Sequence, residues 1–214
     1  IRCPECKNEY LLALSCKSRI CPSCMTKHTL IFQKYFTDKV AFKVPHRHIV
    51  FTLPKILRKY FLMNRKSLND LSRIAYKAIK SFFISTLKRD GMPGAVLQIQ
   101  THGNYLNTNP HIHCISSDGI FGKTGIFYKM PRYSDTAKEY IQKLFEKNIA
   151  DYCICKKFVR EETITERLKW KHSGFSVYID TPIDYTIYRE DDREKMQMIS
   201  GYISKPFYSI IIFH

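Results

Sequence analysis

Four short stretches of the chain are rich in apolar residues that alternate with polar ones over part of their length, and four longer stretches carry apolar residues at helical spacing. A period of two is typical of strands, and a period near 3.6 is typical of helices. The predicted strands are residues 46–53, 95–100, 111–116 and 175–179. The predicted helices are residues 27–39, 56–88, 135–160 and 193–204.

This order of elements predicts an α+β fold, in which helices pack on one face of an antiparallel sheet. A cysteine-rich stretch precedes the first strand, so we expect a small zinc-binding domain over residues 1–40 and a larger domain over residues 41–214. The first residue is Ile1 rather than Met. We therefore expect a fragment of a longer protein, with both domains truncated at their outer ends.

The chain of 214 residues has 35 Lys and Arg against 19 Asp and Glu, which gives a formal net charge of +16. Its 44% of hydrophobic residues exclude a disordered basic tail. A folded domain of this charge indicates a polyanionic partner. The sequence has no apolar run of membrane-spanning length, and no signal-peptide pattern at its start.

Five of the eight cysteines lie within the first 24 residues. Two C-x-x-C pairs, Cys3 with Cys6 and Cys21 with Cys24, predict a structural Zn²⁺ held by four thiolates. Disulfides or inert thiols are the alternatives, and the zinc interpretation implies a reducing, cytoplasmic compartment. Cys16 is an additional thiol. It is an alternative ligand, a partner of residues upstream of the fragment, or a packed cysteine.

His111 and His113 are spaced so that a strand places both imidazoles on one face. Two such rings can hold one divalent metal ion, whereas two polar residues on a solvated sheet face are the ordinary alternative. A second instance of the same spacing, His46 and His48, shows that the pattern alone is weak evidence.

Gln98 and Gln100 alternate with apolar residues on the strand before His111. If these two strands pair as a hairpin, a glutamine amide oxygen reaches the histidine face. Gln100 is the candidate third metal ligand, and a glutamine on a wet face is the alternative for both residues.

Basic side chains also recur along the start of the first long predicted helix. They fit either a solvated helix face or contacts to phosphate, and the overall charge favours phosphate. The residues are Lys55, Arg58, Lys59, Arg65 and Lys66.

Five motifs in order resemble the insertion-sequence-ninety-one-like branch of the rolling-circle transposases, which share the HUH motif (His, hydrophobic, His) and have an N-terminal zinc-binding domain. The HUH motif itself is Pro-His-Ile-His at residues 110–113, followed by Ser-Asp-Gly-Ile-Phe at 117–121. The other matching stretches are residues 16–24, 45–54, 172–177 and 201–207. The resemblance covers nearly the whole chain.

The resemblance implies a ferredoxin-like HUH endonuclease domain that nicks and rejoins single-stranded DNA through a 5′-phosphotyrosine. Tyr202 matches the family's nucleophile, and His111 and His113 match its ligands for Mg²⁺ or Mn²⁺. Some relatives have a second tyrosine four residues earlier, where this chain has Met198, so a one-tyrosine mechanism is implied. Tyr208 lies beyond a proline and is expected to be structural.

The resemblance further implies a prokaryotic, DNA-associated protein that acts on single-stranded or hairpin-ended DNA. Homo-oligomerisation stays open. Two other classes compete with the enzyme: a non-catalytic zinc-containing DNA-binding protein, and an inactive transposase remnant that still binds DNA.

Overall fold

A computed structural model of the chain describes residues 2–9, 16, 21–103, 108–131, 133, 136–168, 173–184, 190–203 and 210–213. Its helices are α1 (Pro22–Tyr35), α2 (Lys55–Leu62), α3 (Arg65–Leu87), α4 (Ala137–Cys155), α5 (Glu161–Leu168) and α6 (Glu190–Ile203). A π-helical segment, Phe36–Val40, continues α1. The strands are β1 (His46–Thr52), β2 (Ala95–His102), β3 (Thr108–Ser117), β4 (Gly119–Phe121), β5 (Phe127–Lys129), β6 (Ser176–Ile179) and β7 (Ile210–Phe213).

Five strands form one antiparallel sheet in the order β6-β1-β3-β2-β7. The helices α2 and α3 connect β1 to β2 across β3, and α4 and α5 lead from β3 to β6 across β1. Two such crossovers and the order of β1, β2, β3 and β6 are those of the ferredoxin-like βαββαβ arrangement. The predicted α+β class is therefore confirmed. β7 adds an edge strand that the sequence pattern did not predict, and β4 pairs with β5 in a separate hairpin.

Helices cover both faces of this sheet, although to different extents. The main core lies under α2, α3 and α4, and fully buried residues from the strands and helices meet there, among them Phe51, Leu97, Ile112 and Phe145. On the opposite face a smaller apolar cluster joins α6 and the π-helical segment to the sheet. The sequence pattern predicted helices on one face of the sheet only. It did not reveal the second layer, because polar residues interrupt the apolar ones on that face.

All four predicted helices have different limits in the structure. The predicted helix over 56–88 is interrupted at Asn64, whose side-chain oxygen accepts a hydrogen bond from the Lys66 backbone N–H at 2.9 Å and so caps α3. α1 begins at Pro22, because proline suits the first helical turn, where its missing N–H needs no partner. The predicted helix over 135–160 ends at Cys155, and α5 follows as a separate helix. No helix within the described ranges combines the length and apolarity needed to cross a bilayer.

Candidate functional site

The two histidines of β3 share one face of the sheet, as their spacing predicts. The ring centroids of His111 and His113 are 4.9 Å apart. The intervening Ile112 and the following Cys114 are fully buried on the opposite face, in the main core. Pairing on both sides fixes this orientation, because a shift of one residue would turn both imidazoles into that core.

Both glutamines of β2 lie directly opposite the histidines. In the ladder between β2 and β3, Gln98 is the partner of His113 and Gln100 is the partner of His111, so the predicted hairpin pairing is present. Both glutamines are buried. The Nε2 atom of Gln100 has no hydrogen-bond partner among the described residues, which is costly for a buried amide. The oxygen and nitrogen of an amide are interchangeable in assignment, so a buried Gln100 in need of a partner fits a cation ligand.

One hydrogen bond defines which nitrogen of His111 can bind a ligand. His111 Nδ1 lies 2.6 Å from the backbone oxygen of Asn109. A carbonyl oxygen only accepts, so Nδ1 carries the proton and the lone pair of the neutral ring is on Nε2. Metal-binding histidines typically donate their other ring N–H in this way.

A third histidine reaches the same face from β1. His48 Nε2 lies 3.0 Å from His113 Nδ1, and the two rings are nearly parallel with their centroids 5.2 Å apart. Burial lowers the pKa of His48; the charge of Asp180 acts to raise this pKa, and Lys195 acts to lower it. By its spacing alone, the pair His46 and His48 cannot be told from a chance repeat of the pattern. The pairing of β1 with β3, which brings the two His-x-His segments side by side, was the missing signal.

The helix that contains Tyr202 packs on the histidine face. Met196, Ile199 and Ile203 of α6 are buried against Val96 of β2 and a neighbouring isoleucine of β3. The side chain of Tyr202 lies outside what the structure describes, and so does the predicted position of its hydroxyl over a metal ion. Its backbone belongs to α6, directly before the buried Ile203.

Lys195 of α6 connects this helix to the end of β6. Its Nζ lies 3.4 Å from Asp180 Oδ1 and 2.8 Å from Thr181 Oγ1. Because Lys195 and Asp180 are also the charges that act on His48, α6 approaches the histidine cluster. Position 202 follows Lys195 by two helical turns, which is about 10 Å along the helix axis.

The N-terminal cysteines form a thiol group of a composition that differs from the predicted one. The Sγ atoms of Cys16, Cys21 and Cys24 all lie within 4.8 Å of one another, and those of Cys16 and Cys24 are 3.5 Å apart. Cys3 and Cys6 do not join this group among the described residues. Three converging thiols are a donor set that suits Zn²⁺. The set of Cys3, Cys6, Cys21 and Cys24 stays a prediction, and the geometry adds Cys16 to the candidates.

Cys3 and Cys6 lie in a tight turn of their own. Backbone N–H groups of Cys6 and Glu5, together with the Cys6 side chain, lower the pKa of Cys3. A lowered pKa favours the thiolate, which is the form that binds metal ions. Cys3 therefore has the thiolate chemistry expected of a zinc ligand.

The helix α1 links the cysteine group to α6. Cys21 is the N-cap residue of α1, and Cys24 lies buried in its first turn. Near the other end of α1, Gln33 Nε2 donates a hydrogen bond to the backbone oxygen of Gln197 in α6 at 2.6 Å. A Cβ atom at Gly201 would overlap the Gln33 side chain, so glycine at this position allows the close approach.

The basic run at the start of α2 and α3 divides into two kinds of residue. Lys55, Lys59 and Lys66 are exposed. Arg58 instead donates from Nε to the backbone oxygen of Leu53 at 3.1 Å, and burial lowers its pKa. The lysines are available for phosphate contacts, whereas Arg58 has a structural role.

The chain has two parts. The first is an N-terminal module with a group of thiols, and the second is an α+β domain whose sheet has histidines and glutamines on one face. Two family models match its two parts: "Transposase zinc-binding domain" over residues 1–53 and "Putative transposase" over residues 94–206. The second match covers more than half of the chain. The chain belongs to the insertion-sequence-ninety-one-like transposase family with an N-terminal zinc-binding domain.

Two relatives of the chain are also named as transposases. The "Transposase for insertion sequence element IS801" of Pseudomonas savastanoi pv. phaseolicola is 29% identical over 135 residues, which are 63% of this chain and 32% of that protein. The "Putative transposase y4qJ" of Sinorhizobium fredii is 25% identical over 126 residues, which are 58% of this chain and 31% of that protein. The chain thus spans about a third of the length of these curated relatives. No solved structure matches it.

Proposed function

We propose that this chain is the part of a transposase that nicks and rejoins single-stranded DNA, with Tyr202 as the nucleophile. One observation carries the proposal: His111, His113 and Gln100 occupy the sheet face on which α6, the helix of Tyr202, packs. Membership of a transposase family supports DNA as the substrate.

The proposed reaction exchanges one phosphodiester for another. The Tyr202 oxygen attacks phosphorus, the new O–P bond forms, the bond from phosphorus to the 3′ oxygen breaks, and the tyrosine proton passes through solvent to that oxygen. The products are a 5′-phosphotyrosine and a free 3′-OH. Attack by a 3′-OH reverses the step and restores the tyrosine, so rejoining needs no external energy source.

His111, His113 and Gln100 are the proposed holders of a divalent cation, Mg²⁺ or Mn²⁺. A cation held there would neutralise charge on the non-bridging oxygens of the scissile phosphate. The hydrogen bond of His111 to Asn109 supports this role, because it leaves the lone pair of Nε2 for the ion. The amide end of Gln100 that has no partner supports it as well, because exchange of the amide oxygen and nitrogen would put the oxygen there.

We propose a structural Zn²⁺ in the N-terminal module, with ligands drawn from Cys3, Cys6, Cys16, Cys21 and Cys24. The grouping of three thiols and the zinc-binding family match support it. We place the boundary between the domains at residues 40 and 41. Although the zinc-binding match extends to residue 53, β1 within it is an inner strand of the sheet.

Single-stranded or hairpin-ended DNA is the proposed partner, since the reaction needs an accessible backbone. The net charge of +16 and the exposed lysines of α2 and α3 support binding to phosphate. Thiolate zinc ligands require a reducing compartment, so we propose the cytoplasm as the place of action.

The decisive experiment is a search for a covalent adduct. The chain is incubated with Mn²⁺ and 3′-labelled single strands with and without hairpins, and the denatured products are separated by size. A labelled protein band is expected for the wild type and for Tyr208→Phe. Tyr202→Phe should lose the band and keep DNA binding, and His111→Ala should lose the band together with its dependence on Mn²⁺.

The same assay decides between the competing classes. Binding to DNA without adduct, under all metals tried, would favour a non-catalytic zinc-containing DNA-binding protein or an inactive remnant. An adduct that persists in Tyr202→Phe and disappears in Tyr208→Phe would move the nucleophile to Tyr208. Preference for blunt duplex, or affinity that does not fall with salt, would contradict the proposed partner.

A further inference from the structure

We propose that His48 is a positioning residue for His113: its Nε2 accepts a hydrogen bond from His113 Nδ1–H and so keeps the lone pair of His113 on Nε2. The inference rests on the proposed function, because it assigns His48 a role at the proposed metal ligands. His48 contacts His113 directly, and no role in the reaction is otherwise assigned to it.

The pairing of β1 with β3 places the two rings edge to edge. In the ladder between β1 and β3, Val50 is the partner of His113, and His48 lies two residues before Val50 on the same face. From this diagonal position His48 brings Nε2 to 3.0 Å from His113 Nδ1. The ring centroids are 5.2 Å apart and the ring planes differ by 11°, so the two imidazoles meet edge to edge in nearly one plane. In this orientation the N–H of one ring points at the nitrogen lone pair of the other.

The direction of this hydrogen bond decides whether His113 can bind a metal ion. A neutral imidazole has one N–H, so a donor at His113 Nδ1 leaves Nε2 with its lone pair. If His48 Nε2 were the donor instead, His113 would carry its proton on Nε2 and could not be a ligand there. The bond from His113 to His48 is therefore the arrangement compatible with a metal site.

The arrangement at His111 is equivalent. His111 Nδ1 donates to the Asn109 carbonyl oxygen, and His113 Nδ1 would donate to His48 Nε2. Each ring thus uses Nδ1 for a protein acceptor and keeps Nε2 for the same sheet face.

A direct ligand role for His48 is the competing explanation, and the geometry argues against it. The nitrogen that approaches His113 is engaged in the contact between the rings, so it cannot simultaneously bind an ion. Loss of an outer partner of a metal-binding histidine typically lowers metal affinity about 10- to 100-fold. Loss of the acceptor at position 48 should give an effect of that size.

Two substitutions separate the acceptor from the ring. His48→Phe keeps an aromatic ring but has no acceptor nitrogen, and His48→Gln keeps an acceptor of similar reach. Thr52→Val is the matched control, because Thr52 lies on the same strand and face, opposite His111. Unfolding midpoints of all variants establish that each one folds.

The first readout is the tautomer of His113 in the metal-free protein, taken from ring ¹⁵N shifts of histidine-labelled protein. We expect the Nδ1–H form in the wild type, Thr52→Val and His48→Gln, and gain of the Nε2–H form in His48→Phe. An Nε2–H tautomer in the wild type, or no change in His48→Phe, would overturn the inference. This readout needs no metal, so it decides the role of His48 even if the proposed reaction fails.

The second readout is Mn²⁺ affinity, measured by electron paramagnetic resonance of the free ion. His48→Phe should bind Mn²⁺ about 10- to 100-fold more weakly than the wild type, and His48→Gln should recover most of that loss. An equal loss in His48→Phe and His48→Gln would contradict the acceptor role and favour His48 as a ligand. Absence of Mn²⁺ binding by the wild type would refute the proposed metal site itself.

Discussion

The guanidinium of Arg47 contacts the carboxylate of Asp118 at 2.7 Å, with both side chains almost completely buried. Arg47 also donates to the backbone oxygen of Asp180 at 3.0 Å, and its guanidinium lies 3.8 Å from the centre of the Tyr133 ring. This ion pair joins the starts of β1 and β4 to the end of β6. It therefore unites two sequence motifs, residues 45–54 and 117–121, that are more than sixty positions apart.

Breaking this ion pair from one side should be severe. Arg47→Met leaves Asp118 buried without its counter-charge, which typically costs about 3–5 kcal/mol. Arg73→Met removes the partner of Asp70 on the surface and should cost less than about 1 kcal/mol. The measurement is the free energy of unfolding in urea for both variants. An equal loss of unfolding free energy in the two variants would mean that a buried ion pair is no more costly to break here than an exposed one.

His46 should make the fold sensitive to mild acid. Burial lowers its pKa to about 4 from an ordinary value of 6.5. Between pH 6.5 and pH 4 the unfolded chain binds a proton at His46 more readily than the folded protein does. The free energy of unfolding is therefore highest, with respect to His46, above pH 6.5, and it falls as the pH drops towards 4. The total loss is roughly 3 kcal/mol.

The pH effect is measured as the difference between wild type and His46→Leu, which cancels the titration of carboxyl groups. The wild type should lose stability relative to the variant between pH 7 and pH 4.5. A constant difference across this range would refute the assignment to His46.

The zinc ligands can be identified by single substitutions and metal analysis. Cys16→Ser and Cys24→Ser should each reduce bound zinc below half an equivalent, because they remove a member of the converging group. Cys155→Ser is the control, since Cys155 is exposed at the end of α4. Zinc lost in Cys3→Ser and retained in Cys16→Ser would instead favour the two C-x-x-C pairs.

The effect of Gly201→Ala on the free energy of unfolding should depend on whether Gln33 is present. Alanine normally stabilises a helix relative to glycine by about 1 kcal/mol, but here its Cβ would overlap the Gln33 side chain. Gly201→Ala should push the Gln33 amide away and break its hydrogen bond to Gln197, which costs about 1 kcal/mol. The substitution should therefore not stabilise the wild type. In a Gln33→Ala background the same change should be stabilising. A double-mutant cycle from urea unfolding measures this, and a stabilising effect of Gly201→Ala in both backgrounds would exclude the proposed contact.

The sequence predicted the parts of the site that depend on local periodicity. Alternation placed His111 and His113 together, and a simple hairpin placed Gln100 opposite His111. His48 could not be found in this way, because its contact with His113 depends on β1 pairing with β3, after a chain separation of 65 residues. Strand order is a property of tertiary packing, which local patterns do not encode.

The same limit explains the errors in the helices. Apolar residues keep their helical spacing through Asn64, so periodicity alone does not reveal the capping hydrogen bond that begins α3. The second helical layer was missed because Val96 and Ile115 are isolated apolar residues among polar ones on their face. Their significance is visible only once α6 is packed against them.

The position of β1, β3 and β2 within the sheet has a consequence for the durability of the candidate site. His48, His113 and Gln98 belong to inner strands, and β6 and β7 occupy the two edges. Fraying at either edge removes pairings of β6 or β7 and leaves the registers of β1–β3 and β3–β2 intact. Local opening at the edges of the sheet therefore leaves the histidines in place, and only separation of the central strands would move them apart.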